Sequence, residues 1–281
     1  MFDLFPWTRR LGVAAGALVA APAFADAPRP WEWYFQAPAS PVQHDIGGLY
    51  SFINWMMVAV VILVMALIGV VLFRFNARRH PTASKVSHHT TLEVAWTLLP
   101  VLILVAMVIP SFRLIYFEDR TQDADMTLKV TGHQWFWEFT YPDQGGFSFN
   151  SNMVRDEDIQ AGQIRRLSVD NELVLPAGKN VRILATSADV IHSFFIPSLG
   201  VQRYAIPGRT IETWVRVDQP GDYYGQCNQI CGEFHSGMPI HVHALNDADF
   251  KTWSEQAKTK FAAADAPTSA PPRVAVAQNE P

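Results

Sequence analysis

The sequence predicts a two-helix transmembrane hairpin followed by an all-β domain outside the membrane. Three observations carry that prediction: two long uncharged apolar runs in the first half, a basic linker between them, and a succession of short β-branched and aromatic segments after residue 125. Composition agrees with this division. Apolar residues make up 49% of the 281 residues, yet mean hydropathy is only +0.06, so the apolar residues are concentrated in segments. A net charge of -4 offers no basic field for nucleic acid.

The elements follow in order. Arg9 and Arg10 precede an apolar stretch at 11–19, and Ala23-Phe24-Ala25 fits a small-x-small cleavage site, so residues 1–25 read as a cleaved signal peptide. Residues 26–48 then form an external N-terminal segment, and 49–117 the membrane hairpin. Its first span, at 50–73, carries no charge and is long enough to cross a bilayer as a helix. The second, at 91–116, contains Pro100 and Pro110, which neighbouring groups tolerate within a membrane at the expense of a kink. The linker at 74–90 holds Arg74, Arg78, Arg79 and Lys85 and no acid, which makes it cytoplasmic. Both mature termini are therefore expected in the periplasm of a bacterial inner membrane. Glu93 stands at the cytoplasmic start of the second span. A carboxylate there is either a helix cap or a functional intramembrane acid, and spacing alone does not separate the two.

Strands are expected at 126–132, 133–141, 164–170, 180–187, 211–217, 222–226 and 239–245, with turns at the Pro-Gly pairs 207–208 and 220–221. Such spacing argues for a sandwich or barrel spanning 118–261, ending in an amphipathic helix at 247–260. The Ala- and Pro-rich tail at 262–281 reads as disordered.

The chemistry is concentrated in one loop, QCNQICGEFHSGMP. Cys227, Cys231, His235 and Met238 lie within twelve residues, and these soft and borderline donors select copper or zinc over magnesium or calcium. His192, flanked by apolar residues in DVIHSFFIP, is the candidate for a further strong ligand. An early histidine joined by a late Cys–His–Met loop is the ligand order of cupredoxin-like Greek-key barrels. A mononuclear blue-copper site uses one cysteine. The second cysteine here allows two thiolates to bridge two coppers, each capped by one histidine. On the residues alone a structural disulfide and a Cys–Cys–His–His zinc site stay open as well. His241 and His243 alternate beyond the loop and are read as facing one side of the barrel without ligating this metal.

The copper loop, the segment DVIHSFFIPSLGVQRYAIPGR, the aromatic box GHQWFWEFTYPD and the second span TTLEVAWTLLPVLILVAMVIPS together resemble cytochrome c oxidase subunit II, in order and with that family's spacing. The resemblance implies a dinuclear copper A centre with Cys227 and Cys231 as bridging thiolates, His192 and His235 as imidazole ligands, Met238 as axial thioether and the Gln229 main-chain carbonyl as the remaining ligand. It implies that Trp135 receives electrons from docked cytochrome c and that Asp143, Asp170 and Asp189 steer that partner. It implies that Glu93 opens a proton pathway into subunit I. Subunit I, with its haem, and subunit III are the implied membrane partners, and oxygen is reduced to water in subunit I with coupled proton translocation.

Two positions depart from the family. Gln229 replaces the usual glutamate whose carboxylate holds a magnesium at the subunit I interface, and a neutral amide is the weaker ligand, so the departure weakens the case for that metal. Tyr204 stands where the family commonly shows aspartate. Rival readings lack support. A quinol oxidase subunit II loses the cysteines and histidines, nitrous oxide reductase adds a propeller, and a copper-delivery protein has no need of the aromatic box or Glu93.

Overall fold

The computed structural model describes residues 27–82, 84–119 and 123–262; the signal-peptide segment and the tail from 263 onward lie outside the described residues. The first helix, α1 (Pro41–Arg74), starts at a capping signal. Ser40 Oγ accepts from the Gln43 amide at 3.1 Å and Pro41 occupies the first helical position, where its missing N–H is no loss. Thirty-four residues make a helix roughly 50 Å long, against a hydrocarbon core of about 30 Å. The excess is at the N-terminal end, where Val42 and Gln43 are buried against the β domain. The second helix, α2 (Thr90–Asp119), carries Pro100 and Pro110 within it. Along the central stretch of each helix the side chains are apolar on every face and unburied, from Val61 and Leu72 to Leu102 and Ile109. An apolar surface of that kind suits lipid and neighbouring membrane helices, and the two are membrane-spanning helices.

The β domain has two five-stranded sheets. One is ordered β3 (Phe147–Ser151), β2 (Phe136–Tyr141), β1 (Met126–His133), β5 (Val181–Ser187), β8 (Ile211–Val215). The other is ordered β4 (Leu173–Pro176), β10 (Pro239–Leu245), β9 (Gly221–Cys227), β6 (His192–Ile196), β7 (Val201–Ala205). Parallel pairs β1–β5 and β4–β10 among antiparallel ones require the chain to cross between sheets, as a cupredoxin-like Greek key does. Strands β2 and β5 alternate strictly between core and surface. Leu128, Val130, Phe139, Ile183, Phe194, Leu173, Ile240 and Val242 meet in the shared core, each fully buried or within 1% of it. A terminal helix, α3 (Asp247–Ala262), buries Phe250 and Ala257 there.

Two expected strands change. Residues 133–141 split into a hairpin, with Gln134 and Trp135 at the turn between β1 and β2. Residues 164–170 are not a strand. Ser168 Oγ accepts from the Ile164 amide at 2.9 Å, and the Leu167 and Ser168 amides donate back to the Ile164 carbonyl at 3.0 Å, so local bonds fold the segment into a turn. Only Val169 pairs, with Met153. Strands β4 and β6 were not anticipated because both are buried on nearly every residue and show no alternation.

Both helices are fixed to one end of this domain. Ser40 Oγ donates to the Leu199 carbonyl at 2.7 Å and the Ala39 amide to the Ser198 carbonyl at 2.9 Å, at the turn between β6 and β7. Trp214 Nε1 on β8 donates to the Phe117 carbonyl at 3.0 Å, and Arg203 on β7 pairs with Asp119. His192 opens β6 at the end away from that turn, four residues or roughly 13 Å further along the strand.

Candidate metal centre

The end of β9 and the start of β6 lie side by side, with Phe194 opposite Cys227. That register brings the early histidine to the late loop. Cys227 Sγ lies 3.9 Å from His192 Nδ1, and Cys231 Sγ lies 3.5 Å from His235 Nδ1. The two sulfurs are 3.9 Å apart and both cysteines are free, so no disulfide joins them. Met238 Sδ is 3.7 Å from Cys231 Sγ, and the Gln229 carbonyl is 3.4 Å from Cys227 Sγ. These contacts link all six positions read as ligands around one spot, with a different imidazole facing each thiolate. His192, Cys227, Cys231 and Met238 are buried there, and Gln229 and His235 are half-buried. A soft, sulfur-rich donor set of this kind fits copper.

The surroundings hold the ligands in place. His192 is completely buried. Its Nε2 meets Asp189 Oδ1 at 2.8 Å, which turns Nδ1 toward Cys227. Asp189 Oδ2 in turn accepts from the Gln134 amide at 2.6 Å, and Gln134 Nε2 donates to the Cys231 carbonyl at 2.7 Å. Trp137 packs edge-on to His192 with ring centres 5.9 Å apart. Gly132 passes so close to His192 that an added Cβ would stand 2.8 Å from Cδ2. Burial disfavours a charged His192, yet Cys227 and Asp189 on its two nitrogens hold its proton more tightly than usual. Burial also disfavours both thiolates. The His192 imidazole beside Cys227 overcomes this and lowers its pKa, whereas burial and the Cys227 charge raise that of Cys231. A bound metal removes both thiol protons.

Trp135 sits against the same loop. Its indole packs over Gly232, where a Cβ would lie 3.0 Å from Cζ2, and against Phe234 at 5.1 Å between ring centres. Gly232 also takes a φ of +126, a backbone conformation that favours glycine.

Comparison with known proteins decides the family. Residues 126–245 match the family model for the cytochrome c oxidase subunit II periplasmic domain, and residues 28–114 match that for its transmembrane domain. The chain belongs to the cytochrome c oxidase subunit II family. The probable cytochrome c oxidase subunit 2 of Rickettsia bellii is 43% identical over 240 residues, covering 85% of this chain and 89% of that protein. The Rickettsia felis counterpart is 41% identical over 247 residues, covering 88% and 78%. The crystallised periplasmic domain of cytochrome oxidase subunit II from Bradyrhizobium japonicum is 46% identical with a TM-score of 0.48, covering 50% of this chain and 99% of that one. Membership in this family makes the chain part of a haem–copper oxidoreductase complex, in which it works with other oxidase subunits in a membrane.

The remaining residues expected from the family fall as follows. Asp143 accepts from the Thr127 amide at 2.6 Å, and Asp170 accepts from the Asn152 amide and side chain at 2.8 and 2.9 Å. All three acids are exposed, and Asp189 is in addition tied to His192 and Gln134. Glu93 reaches back to the His89 amide at 3.1 Å across the first turn of α2, a capping contact. Tyr204 is exposed on β7. Gly132, Gln134 and the tie between Asp189 and His192 were not found from sequence, and the only signal for them was their place in the aromatic box and beside the histidine.

Proposed function

We propose that this chain holds two copper ions between Cys227 and Cys231, with His192 and His235 as the outer imidazoles and Met238 and the Gln229 carbonyl as weak ligands. The single observation behind this reading is the pairing of each thiolate with its own imidazole, at 3.9 and 3.5 Å. A single tetrahedral zinc would give Met238 no role, although its sulfur lies 3.7 Å from Cys231. When bound, the copper pair supplies a one-electron store that is filled by cytochrome c and emptied to the haem of subunit I, where oxygen is reduced to water with proton translocation.

The side chains around it position the ligands and keep water out. Asp189 and Gly132 fix His192, and Trp135, packed on Gly232, supplies the aromatic path from the surface. Asp143, Asp170 and Asp189 present the negative charge that steers a basic cytochrome c. In the membrane, subunits I and III are the neighbours, and both mature termini face the periplasm because the linker between the spans is basic. Glu93 opens the proton path toward subunit I from the cytoplasmic side. Gln229 lacks the charge that a hard dication favours, so the reading includes no tight magnesium at the subunit I boundary.

The test is electron paramagnetic resonance of the copper-loaded chain. Hyperfine structure from one unpaired electron shared equally by two copper nuclei is expected, and its loss in Cys227→Ser or Cys231→Ser. Met238→Leu should keep both coppers with a shifted potential. Copper confined to one nucleus would overturn the reading.

A further inference from the structure

On the outer face of the second sheet, three side chains able to ligate a metal meet beside a fourth, supporting carboxylate. Ile240, Val242 and Ala244 of β10 point into the core, which leaves His241 and His243 together on the opposite face. On β9, His243 is opposite Asp222 and His241 is opposite Tyr224. On the other side Val242 pairs with Leu173, which places Glu172 beside His241. We propose that His241, His243 and Asp222 ligate a second metal, one divalent late first-row ion, zinc in the first instance, with Glu172 supporting His241 from its far nitrogen.

The contacts support this. His241 Nε2 and His243 Nδ1 both meet the same oxygen, Asp222 Oδ1, at 3.1 and 2.6 Å. The other nitrogen of His241, Nδ1, faces Glu172 Oε1 at 3.5 Å. A neutral imidazole has one N–H and can satisfy one of two facing carboxylates. Nε2 is the nitrogen at hydrogen-bond distance from Asp222, and a cation taking the place of its proton would leave Nδ1–H to donate to Glu172. A carboxylate on the far nitrogen is the usual partner of a metal-bound histidine. Ligand atoms around tetrahedral zinc stand about 3.3 Å apart for bonds of about 2.0–2.2 Å, and both N···O separations are a little under that figure. The two imidazoles, which with Asp222 do not yet bring three ligand atoms within 4.8 Å of one another, have to swing together around the ion. Two carboxylates match the charge of a dication.

Access and rigidity are also provided. His243 and Asp222 are 36% and 35% exposed, so an ion and a completing water can reach them, while the His241 side chain is only 9% exposed. Tyr224 stacks on the His241 ring with centres 4.5 Å apart and holds it. Nitrogen and oxygen donors without sulfur suit zinc and distinguish this site from the sulfur-rich one. An ion here would tie β4, β9 and β10 together, and β9 and β10 are the strands that flank the copper loop.

The experiment is equilibrium dialysis of the full chain in detergent against zinc ion alone, in a Cys227→Ser, Cys231→Ser background that removes the sulfur donors. One zinc per chain is expected, bound at least tenfold more weakly after His243→Gln or Asp222→Asn, and X-ray absorption should report imidazole nitrogen and oxygen with no sulfur. Near-ultraviolet circular dichroism checks that each variant is folded. If the double background does not fold, the wild-type chain is titrated past its thiolate site and the second, sulfur-free zinc is counted. No sulfur-free zinc, or zinc held equally well by both variants, overturns the proposal.

Discussion

Replacing Gly132 with alanine tests whether β1 sets the position of His192, the histidine proposed to ligate copper. The added methyl would stand 2.8 Å from His192 Cδ2, 2.9 Å from Cγ and 3.1 Å from Cβ. Carbon atoms in contact prefer about 3.5–4.0 Å, so ring or strand must give by roughly 0.7 Å. Neither moves freely. Asp189 and Trp137 hold the ring, and Gly132 is paired with Trp137 on one side and Ser187 on the other. Overpacking of this kind costs about 1–3 kcal/mol. The more restricted unfolded chain of the alanine variant returns about 0.4–1 kcal/mol. That return acts on folding alone, because the copper-free and copper-bound chains are both folded. A ring forced off the metal by the clash therefore loses up to the full amount of about 1–3 kcal/mol, equivalent to roughly five- to 150-fold weaker copper binding. Copper affinity is read by competition with a chelator of known strength, and Gly237→Ala serves as the control. There the new methyl would meet only Met153 Cε at 3.5 Å and Phe234 Cβ at 3.8 Å, so the effect should stay within about 0.5 kcal/mol. Equal affinity in Gly132→Ala and wild type, or an equal loss in Gly237→Ala, would refute the reasoning.

Two further outcomes are expected. Trp135→Ala should slow reduction of the chain by cytochrome c in single turnover by more than tenfold while leaving the copper absorption nearly unchanged; a wild-type rate would remove Trp135 from the electron path. The hydrogen bond from His133 holds the Glu138 carboxyl below its usual range despite partial burial. The stability this contributes is therefore present above about pH 4.5 and is lost as pH falls through the lower folded value. Thermal unfolding between pH 3 and 6 should show a shallower acid decline in Glu138→Gln than in wild type, and parallel curves would contradict it.

Much of the architecture was legible because it rests on local composition. A bilayer reads hydrophobic length and flanking charge, so both spans and their basic linker show in single segments. The turn at 164–170 was misread because its arginines and β-branched neighbours suit a strand until Ser168 bonds back to Ile164. The start of α1 was written in Ser40-Pro41, yet the apolar run that marks the span begins about two turns later. Strand β6 gave no periodic signal because it is buried on both faces.

The same division runs through the metal centre. The type of donor and the spacing of Cys227, Cys231, His235 and Met238 belong to one loop, and sequence alone marked that loop as a set of soft-metal donors. His192 joined them on chemistry and family order, but its contact with Cys227 is made by the β6–β9 register. Only the tertiary structure decided which carboxylate orients His192, that Gly132 leaves room for its ring, and that Gln134 links Asp189 to the Cys231 carbonyl. The last two bonds join residues 55 and 97 positions apart. Contacts at such separations depend on how strands pair and which face each side chain takes, and a shift of one residue in register would turn every one of them away.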